Sequence, residues 1–193
     1  KPIALPSSLC DLVSLEEIDL SRLSEKPDLE KGDNELLPEL PVFSIPSSFG
    51  NLKKLRKIWA EHTNLEIPKS LQGSPSVEEV LMSGGSWAYL KRFPLFVTTF
   101  PNLKRLDVSG NFFDSIPAAI SKLENLEELD LNNSLGFVKK LPDFGNLPKL
   151  RVLRMSGNTG HTGVPAPLHH VLKQLFAMNL PALEELAIDR WGF

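Results

Sequence analysis

The chain is predicted to be an α/β solenoid, curved and right-handed, with a parallel β-sheet on its concave face and short helices or 3₁₀ turns on its convex face. Three observations predict it. A six-residue apolar phrase is written seven times along the 193 residues. An Ile-Pro or Leu-Pro segment with apolar residues at helical spacing precedes the strands. A small hydrogen-bonding residue follows most of the phrases at a fixed distance. Self-similarity at periods of 20–50 residues is the signature of stacked repeats, each too small to bury its own apolar face.

The phrase places apolar residues first, fourth and sixth. Its copies are Leu15–Leu20, Leu55–Ala60, Val77–Met82, Leu103–Val108, Leu126–Leu131, Leu150–Met155 and Leu183–Ile188, whose first residues are 40, 22, 26, 23, 24 and 33 apart. Alternation over the last residues of each copy fits a short strand with one buried face. The convex template reads Leu5-Pro6, Leu9, Leu12, Leu15, then Ile45-Pro46, Phe49, Leu52, Leu55. It returns at Ile67-Pro68, Leu71, Val77, with Ser74 in an apolar slot, and at Phe93-Pro94, Val97, Phe100, Leu103. Ile116-Pro117, Ile120, Leu123, Leu126 is the cleanest copy, and Leu141-Pro142, Phe144, Leu147, Leu150 is one residue shorter. Spacings of four and three suit one helical face, and Pro is tolerated where a helix begins.

Eight residues beyond the start of the phrase stand Thr63, Gly85, Asn111, Ser134 and Asn158. Four of these side chains can bond neighbouring backbone, whereas Gly85 leaves a gap that backbone bonding or water should fill. Phe113 and Trp87, two positions further on, are expected in the core.

In these residues the chain resembles the leucine-rich repeat proteins, in the subtype whose convex segments read Leu/Ile-Pro-x-x-Ile/Phe-x-x-Leu. The fullest copy runs from Asn102 through Leu103-Lys104-Arg105-Leu106-Asp107-Val108-Ser109-Gly110-Asn111 to Ile116-Pro117-Ala118-Ala119-Ile120. Intracellular scaffold repeats, plant immune-receptor repeats and bacterial effector repeats are all similar to it. The additional Gly before Ile-Pro that marks plant cell-surface receptor repeats is absent, with Asp114-Ser115 and Leu65-Glu66 in its place.

Length and repeat number predict a single domain over 1–193, read as a fragment of a larger protein because neither end carries a polar cap. The formal charge of −3 argues against general nucleic-acid binding. Residues 1–40 carry ten acids and four bases, net −6, leaving +3 for the remainder. No apolar run approaches the roughly 20 residues that span a bilayer. The single Cys10 excludes an internal disulfide and favours a reducing, intracellular compartment. Delivery into a host cell is the expectation if the chain is a bacterial effector. Asn132-Asn133-Ser134 matches a glycosylation acceptor but sits beside a strand, where a chance match is the better reading.

Two insertions break the period. Ser24–Pro41, about 17 residues beyond the template, is acidic and reads either as a loop for a basic partner or as a solvated insertion. The stretch 166–179 places Leu168, Val171, Leu172, Leu175 and Phe176 at helical spacing, predicting a longer convex helix packed on the core.

Chemistry-bearing patterns do not assemble. His161, His169 and His170 lack the companions of a metal site. Gly157–Gly163 lacks the Lys-Ser/Thr of a phosphate loop. Cys10 lies in a convex segment as a buried or bystander thiol. The acid pairs Glu16-Glu17, Glu78-Glu79, Glu127-Glu128 and Glu184-Glu185 occupy one slot of the repeat and read as decoration, not acid–base dyads. The sequence predicts no enzyme, no cofactor and no metal.

The concave face remains. The third residues of the phrases are Glu17, Lys57, Glu79, Arg105, Glu128, Val152 and Glu185; the fifth are Asp19, Trp59, Leu81, Asp107, Asp130, Arg154 and Ala187. Parallel strands lie about 4.8 Å apart, so each column forms a stripe. Trp59 beside Leu81, ringed by Lys57, His62, Arg105 and Asp107, has the composition of an interface hot spot, unless the 24–41 insertion folds over it. Asp130 and Arg154 extend the charged register. The expected function is recognition of another protein through this face. Rival readings are the substrate-recruiting part of a larger enzyme, such as a bacterial effector ubiquitin ligase, and a receptor ectodomain glycosylated at Asn132. Self-association through the uncapped ends is a further expectation.

Overall fold

A computed structural model describes residues 3–23, 42–66, 74–85, 89–136, 138, 141, 144, 147–158 and 168–191. All seven phrases become strands, each formed by the third to fifth residues of its copy. They are β2 (Glu17–Asp19), β4 (Lys57–Trp59), β6 (Glu79–Leu81), β7 (Arg105–Asp107), β8 (Glu128–Asp130), β9 (Val152–Arg154) and β10 (Glu185–Ala187). They form one parallel sheet in the order β10-β9-β8-β7-β6-β4-β2, with like positions of successive phrases in register.

The register follows from side-chain period. The central residue of each strand points inward, and Ile58, Val80, Leu106, Leu129 and Leu153 are buried, while the flanking residues face solvent. Slipping any rung by one residue would place charge in the core. At the two terminal rungs Leu15, Leu183, Leu186 and Ile188 are only partly buried, because each has a neighbour on one side alone.

Opposite the sheet lie 3₁₀ segments at Ser7–Asp11, Ser47–Asn51, Leu95–Thr99 and Ala118–Lys122, each following a proline. The proline carbonyl accepts the first turn's bond, as in Ile120 N→Pro117 O at 3.1 Å. Three segments bury their central residue, Phe49, Val97 and Ile120, whereas in the first Cys10 is buried one position past the centre and Leu9 only partly. Cys10 is thus a free, buried thiol. The Ile67-Pro68 segment, Trp87, the Ser24–Pro41 insertion and His161 lie outside the described residues.

The helix α1 (Leu168–Phe176) forms within the second insertion and buries Val171 and Leu175. Phe176 departs from expectation. It is 68% exposed, because one position past Leu175 it has rotated off the packed stripe. A small second sheet was not expected: β1 (Ile3–Ala4), β3 (Phe43–Ser44) and β5 (Leu65–Glu66) pair in parallel just before the convex segments. Two-residue strands are too short to show alternation, so composition gives no signal for them.

Each strand exit is held by a repeated backbone bond. The eighth residue of one phrase donates to the seventh carbonyl of the next, from Arg22 N→Glu61 O (2.8 Å) through Gly110 N→Asn132 O (2.8 Å) to Gly157 N→Asp189 O (2.9 Å). That residue adopts the left-handed region at Arg22, His62, Gly110, Asn133, Gly157 and Arg190.

Inside this turn lies the side-chain ladder. Asn111 Nδ2 donates to the carbonyls of Met82 and Val108, both at 2.9 Å, while its Oδ1 accepts from Leu90 N at 2.8 Å. Asn158 repeats the arrangement with Met155 O, Leu131 O and Leu135 N. Ser134 Oγ donates to Val108 O (2.7 Å) and Thr63 Oγ1 to Leu20 O (2.9 Å). Phe113 is fully buried beside them. At Gly85 the backbone forms an isolated β-bridge, as the missing side chain predicts, and a side chain also approaches. The His62 imidazole of the preceding repeat occupies the gap, so that a Cβ on Gly85 would lie 2.4 Å from His62 Cε1.

Candidate functional site

On the sheet face, the charged columns are paired among themselves. Lys57 Nζ lies between Glu17 (3.6 Å) and Glu79 (3.4 Å) of the adjacent strands. Arg105 meets Glu128 at 3.6 Å. Where the third column holds the uncharged Val152, Arg154 from the fifth column takes the role, reaching Glu185 at 2.9 Å and Glu128 at 4.0 Å. The second residues of the phrases repeat the pattern along the strand starts. Glu78 receives Arg56 at 3.1 Å and Lys104 at 3.2 Å, and Arg151 grips Glu184 through two bonds of 3.0 and 2.8 Å.

The acid pairs are therefore one half of an alternation. Down the stack the second and third residues read Glu-Glu, Arg-Lys, Glu-Glu, Lys-Arg, Glu-Glu, Arg-Val, Glu-Glu. Hydrogen bonds from Arg56 and Lys104 lower the Glu78 carboxyl below its ordinary range, and the Arg151 bonds lower Glu184. Exposed pairs of this kind contribute little individually. Their sign sequence nevertheless favours one stacking order, since like charges face each other in most others. The pattern is written in the sequence, but shows only when basic and acidic phrases are compared across repeats.

Three acids of the fifth column also work locally. Asp19, Asp107 and Asp130 each accept the backbone N–H two residues on, from Ser21 (2.8 Å), Ser109 (3.0 Å) and Asn132 (2.9 Å). These Asx turns steer the chain out of the strand. Asp107 and Asp130 stand directly opposite each other in the register. Burial, with the neighbouring Asp107 charge added, raises the Asp130 carboxyl above its ordinary range, although the Asn132 amide opposes the shift.

Besides Val152 and Ala187 on β9 and β10, the uncharged residues of these two columns are Trp59 and Leu81. They are register partners on β4 and β6, both partly exposed, and Lys57 Nζ lies 5.9 Å from the centre of the Trp59 ring. Arg105 and Asp107 occupy the next strand. His62 stands at the exit of β4 with its ring turned toward Gly85. Asp130 and Arg154 lie one and two strands beyond Asp107. Asn132, the candidate glycan acceptor, donates through Nδ2 to Asp130 and accepts from Ser156 N through Oδ1 (2.6 Å). The hydroxyl of the motif, on Ser134, is buried in the ladder. Among the described residues no group of three or more His, Cys, Asp or Glu is arranged to hold a metal ion, and no helix is long and apolar enough to cross a membrane.

A family model described as Leucine rich repeat matches residues 101–159, within the stretch of cleanest copies. The chain is a leucine-rich repeat protein. TMV resistance protein N of Nicotiana glutinosa is 32% identical over 151 residues, covering 68% of this chain and 12% of that protein. Receptor-like protein 39 of Arabidopsis thaliana is 32% identical over 144 residues, covering 72% of this chain and 16% of its own length. Among solved structures, InlP of Listeria monocytogenes superposes with a TM-score of 0.60 at 26% identity, over 95% of this chain and 44% of that one. The chain thus spans 12–16% of the length of these two plant relatives. Repeat proteins of this family typically serve as binding modules, presenting a continuous surface built by nearest-neighbour stacking.

Proposed function

We propose that this leucine-rich repeat chain is the recognition module of a larger protein, binding a protein partner through its sheet face. The observation that carries the reading is the Trp59–Leu81 pair. It forms an apolar step on a face where most surrounding charges are already satisfied by neighbours. Paired charges lose little by remaining at a rim, whereas an accessible tryptophan gains by desolvation. Lys57, Arg105, Asp107, Asp130 and Arg154 would set orientation around that anchor, and His62 supports its exit turn. The buried Cys10, the single cysteine, fits a reducing compartment.

The test is capture from lysate of the source cells with wild-type protein and Trp59→Ala, followed by affinity measurement on the retained partner. The reading expects a partner whose binding weakens by at least ~2 kcal/mol in the variant, with an unchanged far-UV circular dichroism spectrum. A partner held with equal affinity by both proteins refutes the role of Trp59.

A further inference from the structure

The fifth column of the sheet face changes character midway along the stack. Trp59, Leu81, Asp107 and Asp130 stand on four successive strands, each in register with the next, so an apolar step runs directly into two facing carboxylates. Asp19 lies in register on the other side of Trp59, giving the step an acid at each end. The three bases of the third and fifth columns are engaged elsewhere: Lys57 with Glu17 and Glu79, Arg105 with Glu128, and Arg154 with Glu128 and Glu185. Among the described residues Asp107 and Asp130 take part in no ion pair. Their partners are the amides of their own turns, Ser109 N for Asp107 and Asn132 N and Nδ2 for Asp130. The fourteen outward positions of the two columns hold seven acids and three bases, net −4, against −3 for the whole chain. The face is thus more acidic than the molecule that carries it.

The geometry points to a basic protein segment as the occupant of this face, with an apolar side chain over Trp59 and Leu81 and a Lys or Arg over Asp107 and Asp130. It rests on recognition through the sheet face and adds the chemistry of the partner. Strands about 4.8 Å apart put the centres of the apolar and acidic halves about 10 Å from each other, which is about three residues of extended chain. The base therefore belongs two to four residues from the apolar anchor. A cation placed there meets two carboxylates and no competing base, whereas an acidic segment meets like charge at both ends of the step. The Asp130 carboxyl shows how poorly the pair is neutralised. Burial and then the facing Asp107 charge raise it, although the Asn132 amide and the charges of Arg154 and Arg105 oppose the shift. A cation over the pair relieves that repulsion.

The probe is a phage-displayed library of random peptides about a dozen residues long, panned against the whole chain with Trp59→Ala as the counter-selection. Peptides held by wild type and lost on Trp59→Ala should be richer in Lys and Arg than the input library, with the base two to four residues from Trp, Phe, Leu or Ile. A synthetic copy of the most enriched peptide should bind D107N/D130N about threefold or more weakly, as expected for the loss of two partly exposed ion pairs. Asn keeps an acceptor for each Asx turn, so the strand exits stand in that variant. D114N/E124Q, which removes two exposed charges off the sheet, should bind the peptide as wild type does. On D107K/D130K the library should instead yield Asp and Glu near the same anchor. Neutral or acidic peptides that still require Trp59 overturn the proposal and leave the sheet-face reading standing, as does equal weakening in D107N/D130N and D114N/E124Q. Peptides that bind Trp59→Ala as tightly as wild type refute both. A dimer of the chain that Trp59→Ala dissociates places a second copy on the face and overturns the choice of occupant.

Discussion

Removing the Asn111 side chain with Asn111→Ala should separate the turn ladder from the hydrophobic core as a source of stability. Asn111 is buried, and its amide supplies the interaction for Met82 O (2.9 Å) and Leu90 N (2.8 Å) and a further bond to Val108 O (2.9 Å). Val108 O keeps the Ser134 hydroxyl at 2.7 Å after the change, so its loss is small. Met82 O and Leu90 N are left without that partner. A buried polar group stripped of its bond costs about 1–3 kcal/mol. Leu90 is half-buried and water can reach part of its turn, so the sum falls at about 2–4 kcal/mol. For a chain of this size that corresponds to a fall in Tm of roughly 4–16 °C. Urea titration followed by far-UV circular dichroism measures it, with Thr63→Val as the internal comparison. Thr63 donates one bond to Leu20 O, so its loss should cost about 1 kcal/mol. If Asn111→Ala unfolds within about 0.5 kcal/mol of wild type, or Thr63→Val costs more, the bonding account of the ladder is wrong.

Two further changes probe the same turns and the acidic column. Gly85→Asn restores the ladder residue but collides with the His62 ring. Alone it should destabilise by about 1–3 kcal/mol, whereas His62→Gly with Gly85→Asn should recover most of that loss, and additive effects in a double-mutant cycle would contradict the exchange. Asp130→Asn keeps an acceptor for the Asn132 amide while removing a charge opposite Asp107. Because the folded carboxyl is raised above its ordinary value, Asp130 disfavours folding only once the pH climbs through that window. The variant should therefore be more stable than wild type by about 0.2–1 kcal/mol at neutral pH and indistinguishable well below pH 3.8; a gain that persists in acid would disprove the assignment.

The strands, their register and the inward residues were legible because the phrase repeats seven times, and every copy has to bury the same positions. The 3₁₀ segments were legible for the same reason, with proline marking each start. What escaped depends on relations between repeats. The His62 ring filling the Gly85 gap involves one irregular residue in each of two turns, and neither is unusual alone. The two-residue strands of the small sheet carry no periodicity. The glutamate pairs looked like decoration because the basic pairs opposite them vary as Arg-Lys, Lys-Arg and Arg-Val. For the candidate site, the columns and the placing of Trp59 beside Leu81 could be read directly. The engagement of Lys57, Arg105 and Arg154 with their neighbours, and of Asp107 and Asp130 with their own turns, required coordinates.

Recognition through the sheet face rather than the helical face can be tested against a rival apolar residue. Phe176 is 68% exposed at the end of α1, away from the sheet. Calorimetric titration of the captured partner into wild type, Trp59→Ala and Phe176→Ala compares the two faces directly. Trp59→Ala should lose about 30-fold or more in affinity while Phe176→Ala binds as wild type. Loss of binding in Phe176→Ala with wild-type affinity in Trp59→Ala would move recognition to the opposite side of the solenoid.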